Sequence, residues 1–219
     1  MINNFIFDLD GLLVNTEKLG LRLWQDTAEK YNFQVDEDWA ISLMGRGYSD
    51  TKTLYIEKFG EEKAMEIRNY RRNLILETIK NEGVEPMPGA LELLELLKAK
   101  EYKMALATGS IKRKIQYVFQ SVDIQHYFDV IISGEMVSHG KPDPETFILA
   151  ADGLHVDPKE TIVLEDSPFG IEAAHSIGAT TILIPDLYQP TEEIINKCSY
   201  MFNSLYEVID KIEEITKHE

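Results

Sequence analysis

The sequence of 219 residues predicts an α/β fold, in which a parallel, doubly wound sheet is interrupted by one all-helical insertion. Two observations predict the sheet: short apolar runs typical of buried strands recur along the chain, and helical patterns lie between most of them. A third observation predicts the insertion, because residues 17–82 hold several helical patterns and no convincing strand. A chain of this length suggests one domain with a large insertion, or two small domains.

The individual elements follow from the apolar pattern. Strands are predicted at 3–8, 102–107, 129–133, 161–165 and 179–184. Helices between and after the strands are predicted at 89–100, 111–120, 144–154, 168–177 and 204–217. Pro144 and Pro168 favour the first turns of their helices, where a missing N–H costs little. The insertion is predicted to hold helices at 17–31, 36–44, 49–59 and 61–80. Two hinge-like segments bound it, LVNT at 13–16 and NEGVEPMPG at 81–89.

Composition and charge exclude several classes of partner. The chain is 44% hydrophobic and 27% charged, with a net charge of −16 that repels phosphate backbones and anionic lipid. No run of about 18 apolar residues predicts a transmembrane helix, and the first residues lack the positive region of a signal peptide. Cys198 is the only cysteine, so no intrachain disulfide can form. We therefore expect a cytoplasmic protein with no nucleic acid or membrane partner, and the sequence implies no protein partner.

Polar residues follow four of the predicted strands, at the carboxyl edge where open α/β sheets bind ligands. They are Asp8-Leu9-Asp10-Gly11, Thr108-Gly109-Ser110, Lys141-Pro142-Asp143-Pro144 and Glu165-Asp166-Ser167. Each motif alone is also typical of a turn, a solvated lysine or a helix N-terminus. Together they bring carboxylates, hydroxyls and a lysine to one edge, and these groups suit Mg²⁺ and phosphate.

Asp8 and Asp10 lie two residues apart, so their carboxylates share one face of the strand and repel each other. Two carboxylates in different environments can divide the roles of nucleophile and acid. We expect a cation to hold Asp8 ionised, and we expect the pKa of Asp10 to be raised if its side chain points away from that cation.

The four motifs in this order resemble the haloacid dehalogenase superfamily, in its phosphatase and β-phosphoglucomutase-like branch with a helical cap. The resemblance covers nearly the whole chain. It implies a Rossmann-like core of residues 1–14 and 88–219 with an inserted cap at 15–87. It also implies Mg²⁺-dependent phosphoryl transfer through an aspartyl-phosphate. Asn15 departs from the pattern, since the family commonly has Asp there, but the position belongs to the cap hinge rather than to the transfer chemistry.

The resemblance also implies roles for individual residues. Asp8 is the expected nucleophile and Asp10 the expected general acid and base. The expected phosphate-binding residues are Thr108, Gly109, Ser110 and Lys141. The expected metal ligands are Asp8, Asp10 through its main-chain carbonyl, Glu165 and Asp166.

The cap is expected to select the substrate, because its closure brings new side chains over the phosphate. Candidate contacts lie in the segment Met44-Gly45-Arg46-Gly47-Tyr48, above all Arg46, and in the first cap helix near Gly20. Trp24 is expected in the cap core, given its helical spacing. The basic residues at 112–114 are expected on a solvated helix face.

Three functions remain open at this point. The first is a Mg²⁺-dependent phosphatase of a small phosphorylated metabolite such as a sugar phosphate. The second is a sugar phosphomutase, although mutases of this branch carry a cap histidine and cap basic residues at positions that fall on Gly20 and near Met44 and Tyr48. The third is a non-catalytic phospho-acceptor module, which Asp10 disfavours, because a stable phospho-aspartate needs no adjacent acid or base.

Overall fold

The computed structural model describes residues 2–43, 45–46 and 48–217, without the side chains of 48–50. In this part of the chain six parallel strands form one sheet in the order β3-β2-β1-β4-β5-β6. The strands are β1 (Asn4–Phe7), β2 (Lys103–Ala107), β3 (Val130–Ile132), β4 (Thr161–Glu165), β5 (Thr180–Leu183) and β6 (Tyr200–Met201). The predicted parallel α/β fold is thus confirmed.

Helices cover both faces of the sheet and fill the insertion. Those of the insertion are α1 (Thr16–Tyr31), α2 (Glu37–Ser42), α3 (Tyr48–Phe59) and α4 (Glu61–Glu82). Those that follow it are α5 (Ala90–Ala99), α6 (Lys112–Ser121), α7 (Glu145–Leu154), α8 (Pro168–Ser176), α9 (Glu192–Ile195) and α10 (Leu205–Ile215). None of the described helices has the length and apolar character that crossing a lipid bilayer requires.

The strand and helix pattern is close to the one predicted, and the additions are two short elements. The sequence analysis missed β6, whose two residues pair with the end of β5, and the four-residue helix α9. Elements this short carry too few residues to show a period of 2 or 3.6, so only their tertiary contacts define them.

Strand β1 lies in the centre of the sheet and is buried on both faces. Phe5 and Phe7 point into an apolar cluster formed with α5, α6 and α10. Ile6 points the other way, into a cluster formed with α7 and α8. Asp8 comes directly after β1, so the fold carries its carboxylate to the middle of the carboxyl edge.

The insertion has an apolar cluster of its own around Trp24, which is 1% exposed and packs with residues of α2, α3 and α4. Trp24 thus lies in the apolar core of the insertion, as its helical spacing predicted. The two segments that connect the insertion to the sheet lie side by side. The N–H of Asn15 donates to the carbonyl of Glu85, and the N–H of Met87 donates to the carbonyl of Leu13, both at 2.9 Å.

Candidate active site

Asp8 is paired with a buried lysine. The Nζ of Lys141 donates to Oδ1 of Asp8 at 2.6 Å, to Oε1 of Glu165 at 2.5 Å and to the carbonyl of Ala107 at 3.0 Å. The other oxygen of Asp8 accepts the main-chain N–H of Asp10 at 2.9 Å. Burial raises the pKa of Asp8 to about 7; the Lys141 charge opposes this rise, and the charges of Glu165 and Asp10 add to it.

Glu165 acts in this structure as the second partner of Lys141. Its Oε2 accepts the N–H of Ser167 at 3.1 Å and the Ser167 hydroxyl at 2.9 Å, and the N–H of Asp166 at 3.1 Å. Both carboxylate oxygens therefore already have donors. Burial alone would lower the pKa of Lys141, but the charges of Asp8 and Glu165 outweigh it and raise that pKa. Glu165 therefore orients Lys141 in this structure, and its role as a metal ligand stays a prediction.

Asp166 lies beside the main chain that follows the two aspartates. Gly11 has a φ of +81°, and a Cβ on it would overlap Oδ2 of Asp166, so only glycine fits this turn. Burial raises the pKa of Asp166 well above its ordinary value, and the charges of Glu165 and Asp8 add to this effect. The carboxylates of Asp8 and Asp166, whose negative charges repel, form a donor set suited to a hard divalent cation.

Within the described residues, no three Asp, Glu, His or Cys side chains form a ready-made metal cluster. Mg²⁺ does not require one, because it commonly keeps several waters and takes one or two carboxylates together with phosphate oxygens. Asp8 and Asp166, with the main-chain carbonyl of Asp10, fit that smaller set.

Asp10 is held by an ion pair and two hydroxyls. Its Oδ1 is 2.7 Å from Nζ of Lys114 and accepts the Thr16 hydroxyl, and its Oδ2 accepts the Ser110 hydroxyl at 2.5 Å. Burial alone would raise the pKa of Asp10, but the charge of Lys114 and the hydrogen bonds from Lys114, Ser110 and Thr16 outweigh it and lower that pKa. The prediction of a raised pKa for Asp10 is therefore wrong.

The prediction that residues 112–114 form a solvated helix face is also wrong for its last member. Lys112 and Arg113 are exposed, whereas the Lys114 side chain is only 20% exposed and points toward the sheet edge. Successive residues of an α-helix are rotated by about 100° around the helix axis. The three consecutive basic residues on the first turn of α6 therefore point in different directions.

The turn after β2 supplies main chain and a buried hydroxyl. Thr108 is buried, and its Oγ1 accepts the N–H of Ser110 at 3.0 Å. A Cβ on Gly109 would meet nothing within 4 Å, so this stretch of main chain faces open space. The Ser110 hydroxyl, in contrast, is directed to Asp10.

A cavity of about 240 Å³ lies between the strand ends and the helices of the insertion. Each residue predicted for the site lines it, namely Asp8, Asp10, Arg46, Thr108, Gly109, Ser110, Lys141, Glu165 and Asp166. The structure thus brings residues from four strand ends and from the insertion around one space.

Five charged residues that line the cavity were not expected there: Glu17 on α1, Arg68, Arg71 and Arg72 on α4, and Lys114 on α6. Burial raises the pKa of Glu17 to about 7, and the charge of Asp10 adds to it. Burial lowers the pKa of Arg71. Glu17 directly follows the hinge residue Thr16, and this position next to the hinge could have identified it as a site residue. No sequence signal distinguishes Arg71 among the basic residues of α4.

Arg46 contacts the core as well as the cavity. Its guanidinium carbon lies 4.3 Å from the ring centroid of Phe169 on α8. A Cβ on the neighbouring Gly45 would come within 2.5 Å of the Ser167 Cβ. The loop between α2 and α3 therefore packs against the start of α8. Three further candidates of this segment lie outside the described residues, namely Met44, Gly47 and the side chain of Tyr48.

Asn15 lines a second cavity, beside the two connecting segments. Its Oδ1 is buried and accepts no hydrogen bond from the described part of the protein. This placement agrees with a hinge position outside the transfer chemistry.

Comparison with known proteins decides the family. The sequence profile of the haloacid dehalogenase-like hydrolases matches residues 5–184. This chain belongs to that family. It is an enzyme of the hydrolase class, and the curated relatives reported next are named as phosphatases.

Two curated relatives and one solved structure place this haloacid dehalogenase-like hydrolase more closely. It is 34% identical over 177 residues to the phosphorylated carbohydrates phosphatase of Thermotoga maritima, covering 81% of this chain and 82% of that protein. It is 28% identical over 179 residues to the fructose-1-phosphate phosphatase of Escherichia coli, covering 81% and 93%. The crystal structure of β-phosphoglucomutase from Clostridium difficile matches with a TM-score of 0.80 and 26% identity, covering 99% of this chain and 97% of that one.

Proposed function

We propose that this protein is a Mg²⁺-dependent phosphatase that hydrolyses a small phosphorylated metabolite of the sugar phosphate class through an aspartyl-phosphate on Asp8. One observation carries the proposal: the buried carboxylate of Asp8, held by Lys141, borders a cavity of about 240 Å³, which suits a small molecule rather than a macromolecule. Relatives named for phosphorylated carbohydrates and fructose 1-phosphate support the substrate class.

Asp8 and Asp10 carry the bond changes. An oxygen of Asp8 attacks the phosphorus, the bond from phosphorus to the leaving oxygen breaks, and that oxygen takes a proton from Asp10. Water then attacks the phosphorus of the aspartyl-phosphate and gives a proton to Asp10, which releases inorganic phosphate and restores Asp8. The contacts that lower the pKa of Asp10 favour its ionised form, which is the form that accepts the proton in the second step. The proton gained there serves the leaving group of the next turnover.

The remaining groups stabilise charge and position the phosphoryl group. Lys141 stays protonated between Asp8 and Glu165, so it offers a fixed positive charge beside the nucleophile. Thr108 and the open main chain at Gly109 offer donors on the other side. A Mg²⁺ ion held by Asp8, Asp166 and the main-chain carbonyl of residue 10 would neutralise the repulsion between phosphate and carboxylate.

We also propose that residues 15–87 act as a cap over a core of 1–14 and 88–219. The separate apolar cluster around Trp24 and the two adjacent connecting segments support this division. The cap forms the roof of the cavity, so its closure would exclude water and place side chains on the leaving group.

The proposal is tested by phosphate release from a panel of phosphorylated sugars and polyols with Mg²⁺. Asp8→Asn is expected to lower kcat by at least about 1,000-fold, because a neutral amide cannot form the aspartyl-phosphate. Its melting temperature should stay within a few degrees of the wild type, since Asn has the same shape. Asp152→Asn on the exposed side of α7 is the matched control and should retain full activity.

Two results would count against the proposal. If the wild type releases no phosphate from any member of the panel, the phosphatase assignment fails. If Asp8→Asn keeps more than a few per cent of activity, Asp8 is not the nucleophile.

A further inference from the structure

Helices α1 and α4 place an acidic and a basic side chain in the cavity roof, outside the proposed transfer groups. Glu17 of α1 and Arg71 of α4 both line the cavity. The charge of each residue shifts the pKa of the other, yet in the described chain no ion pair within 4 Å joins the two side chains. Because both side chains line the cavity, a ligand group bound in it can interact with both.

The side chain of Arg71 lies against the backbone of Gly20 where it lines the cavity. Its Nη2 donates to the Gly20 carbonyl at 2.9 Å, and its guanidinium carbon lies 4.2 Å from the ring centroid of Trp24. A Cβ at position 20 would lie 3.2 Å from Nη2, which is tighter than an ordinary contact. Glycine at this position thus makes room for the guanidinium, at the place where the mutases of the resembling branch carry a histidine.

The Nε of Arg71 is buried and has no acceptor among the described residues. A buried N–H without an acceptor is unfavourable, and a bound molecule in the cavity can supply one. Arg71 therefore offers a donor that the protein itself does not satisfy.

Glu17 offers the complementary acceptors. It lies three residues before Gly20, so the two positions share a face of α1. A Cβ on Gly11 would lie 3.2 Å from Cγ of Glu17, which places Glu17 beside the catalytic strand end. The charged groups that face it are Asp10, Lys114, Arg71 and Asp186. Its carboxylate accepts no hydrogen bond from the rest of the described chain.

We propose that Glu17 and Arg71 form the subsite for the leaving group and select phosphates whose alcohol carries hydroxyls, that is, sugar and polyol phosphates over alkyl phosphates. A hydroxyl can donate to Glu17 and accept from Arg71 at once, and an alkyl chain can do neither. This inference rests on the proposed phosphatase function.

The test compares kcat/KM for sorbitol 6-phosphate and hexyl phosphate, which have the same number of carbons and differ in their hydroxyls. The wild type is expected to prefer sorbitol 6-phosphate by roughly 10- to 100-fold, as for a site that hydrogen-bonds its substrate through a charged group. Glu17→Met should reduce this preference at least fivefold, Glu17→Gln should restore part of it, and Arg71→Lys, which keeps the charge but loses the Nε donor, should also reduce it. Glu29→Met, on the exposed side of α1, is the matched control and should leave the preference unchanged.

The outcomes separate this inference from the function on which it rests. If the wild type releases phosphate but shows no preference, or if Glu17→Met and Arg71→Lys each change the preference by less than fivefold, the subsite is wrong and the phosphatase assignment stands. If the wild type releases phosphate from neither compound nor from p-nitrophenyl phosphate, both fail. Melting temperatures close to that of the wild type show that the variants are folded.

Discussion

Asp8 and Asp10 are identical side chains two residues apart, yet their surroundings move their pKa values in opposite directions. Burial raises the pKa of Asp8 to about 7, despite its contact with Lys141. Lys114 and two hydroxyls overcome the effect of burial on Asp10 and lower its pKa. The proposed division of roles between Asp8 as nucleophile and Asp10 as acid and base therefore depends on partners that come from other elements of the fold.

Lys114→Met tests the importance of the ion pair to Asp10. We expect kcat/KM for hexyl phosphate to fall roughly 10- to 100-fold, because the carboxylate that serves the leaving oxygen loses the contact that positions it. The measurement is steady-state phosphate release, with Lys112→Met on the exposed side of α6 as the control. An equal loss in both variants would show that general charge, rather than this ion pair, is responsible.

At the scale of elements, the contact between the α2–α3 loop and α8 joins the insertion to the core. Arg46 was predicted as a substrate contact, and the structure also stacks its guanidinium on Phe169. A cation–π contact at such a site is worth about 0.5–1 kcal/mol. If this contact stabilises the arrangement in which the insertion is closed over the core, its loss should weaken substrate binding modestly.

Arg46→Met and Phe169→Leu are each expected to raise KM by about two- to fivefold, as the loss of 0.5–1 kcal/mol implies. The double variant should be little worse than either single variant, because both remove the same contact. KM of the wild type, the two single variants and the double variant is measured with the best substrate of the panel. Additive effects would instead indicate that Arg46 contacts the substrate independently of Phe169.

The contact of Gly20 on α1 with Arg71 on α4 leads us to expect a phosphatase rather than a mutase. A mutase must return the phosphoryl group to a sugar hydroxyl before water attacks Asp8. Gly20 has no side chain to move a proton, and the guanidinium above it remains protonated. With β-glucose 1-phosphate and a trace of the 1,6-bisphosphate, we therefore expect inorganic phosphate and little glucose 6-phosphate. Efficient isomerisation would overturn the phosphatase assignment and leave the proposed roles of Asp8 and Lys141 intact.

At the scale of the whole molecule, the fold concentrates acidic side chains at the centre of the sheet edge. Asp8 is buried there, Asp166 is partly buried, and the charge of Asp8 helps to raise the pKa of Asp166. A protein with a net charge of −16 adds to this repulsion. A divalent cation bound between these carboxylates should stabilise the folded chain as well as support turnover.

Saturating Mg²⁺ is expected to raise the melting temperature by several degrees, since a ligand at 100 times its Kd stabilises by about 2.7 kcal/mol. EDTA should abolish both this shift and phosphate release. Asp166→Ala should remove the shift and the activity, whereas Asp152→Asn should keep both. The metal assignment is wrong if chelation leaves phosphate release unchanged.

The sequence alone was sufficient for the architecture and for most of the candidate site. The apolar runs that became β1, β2 and β4 are local signals, because burial on both faces requires continuous apolar residues. The polar residues after them could be grouped without coordinates, because parallel strands end at one edge of a sheet. The absence of strand patterns in 17–82 likewise predicted the helical insertion.

Only the tertiary structure decided how those residues are paired. The sequence did not show that Glu165 pairs with Lys141. It placed Lys114 in solvent, whereas the structure pairs Lys114 with Asp10. The hydrogen bond from Arg71 to the Gly20 carbonyl forms only because α4 packs on α1. Pairings of this kind depend on the rotation and separation of elements that are distant in the chain, and these are set by the packing of the whole core rather than by any local pattern of residues.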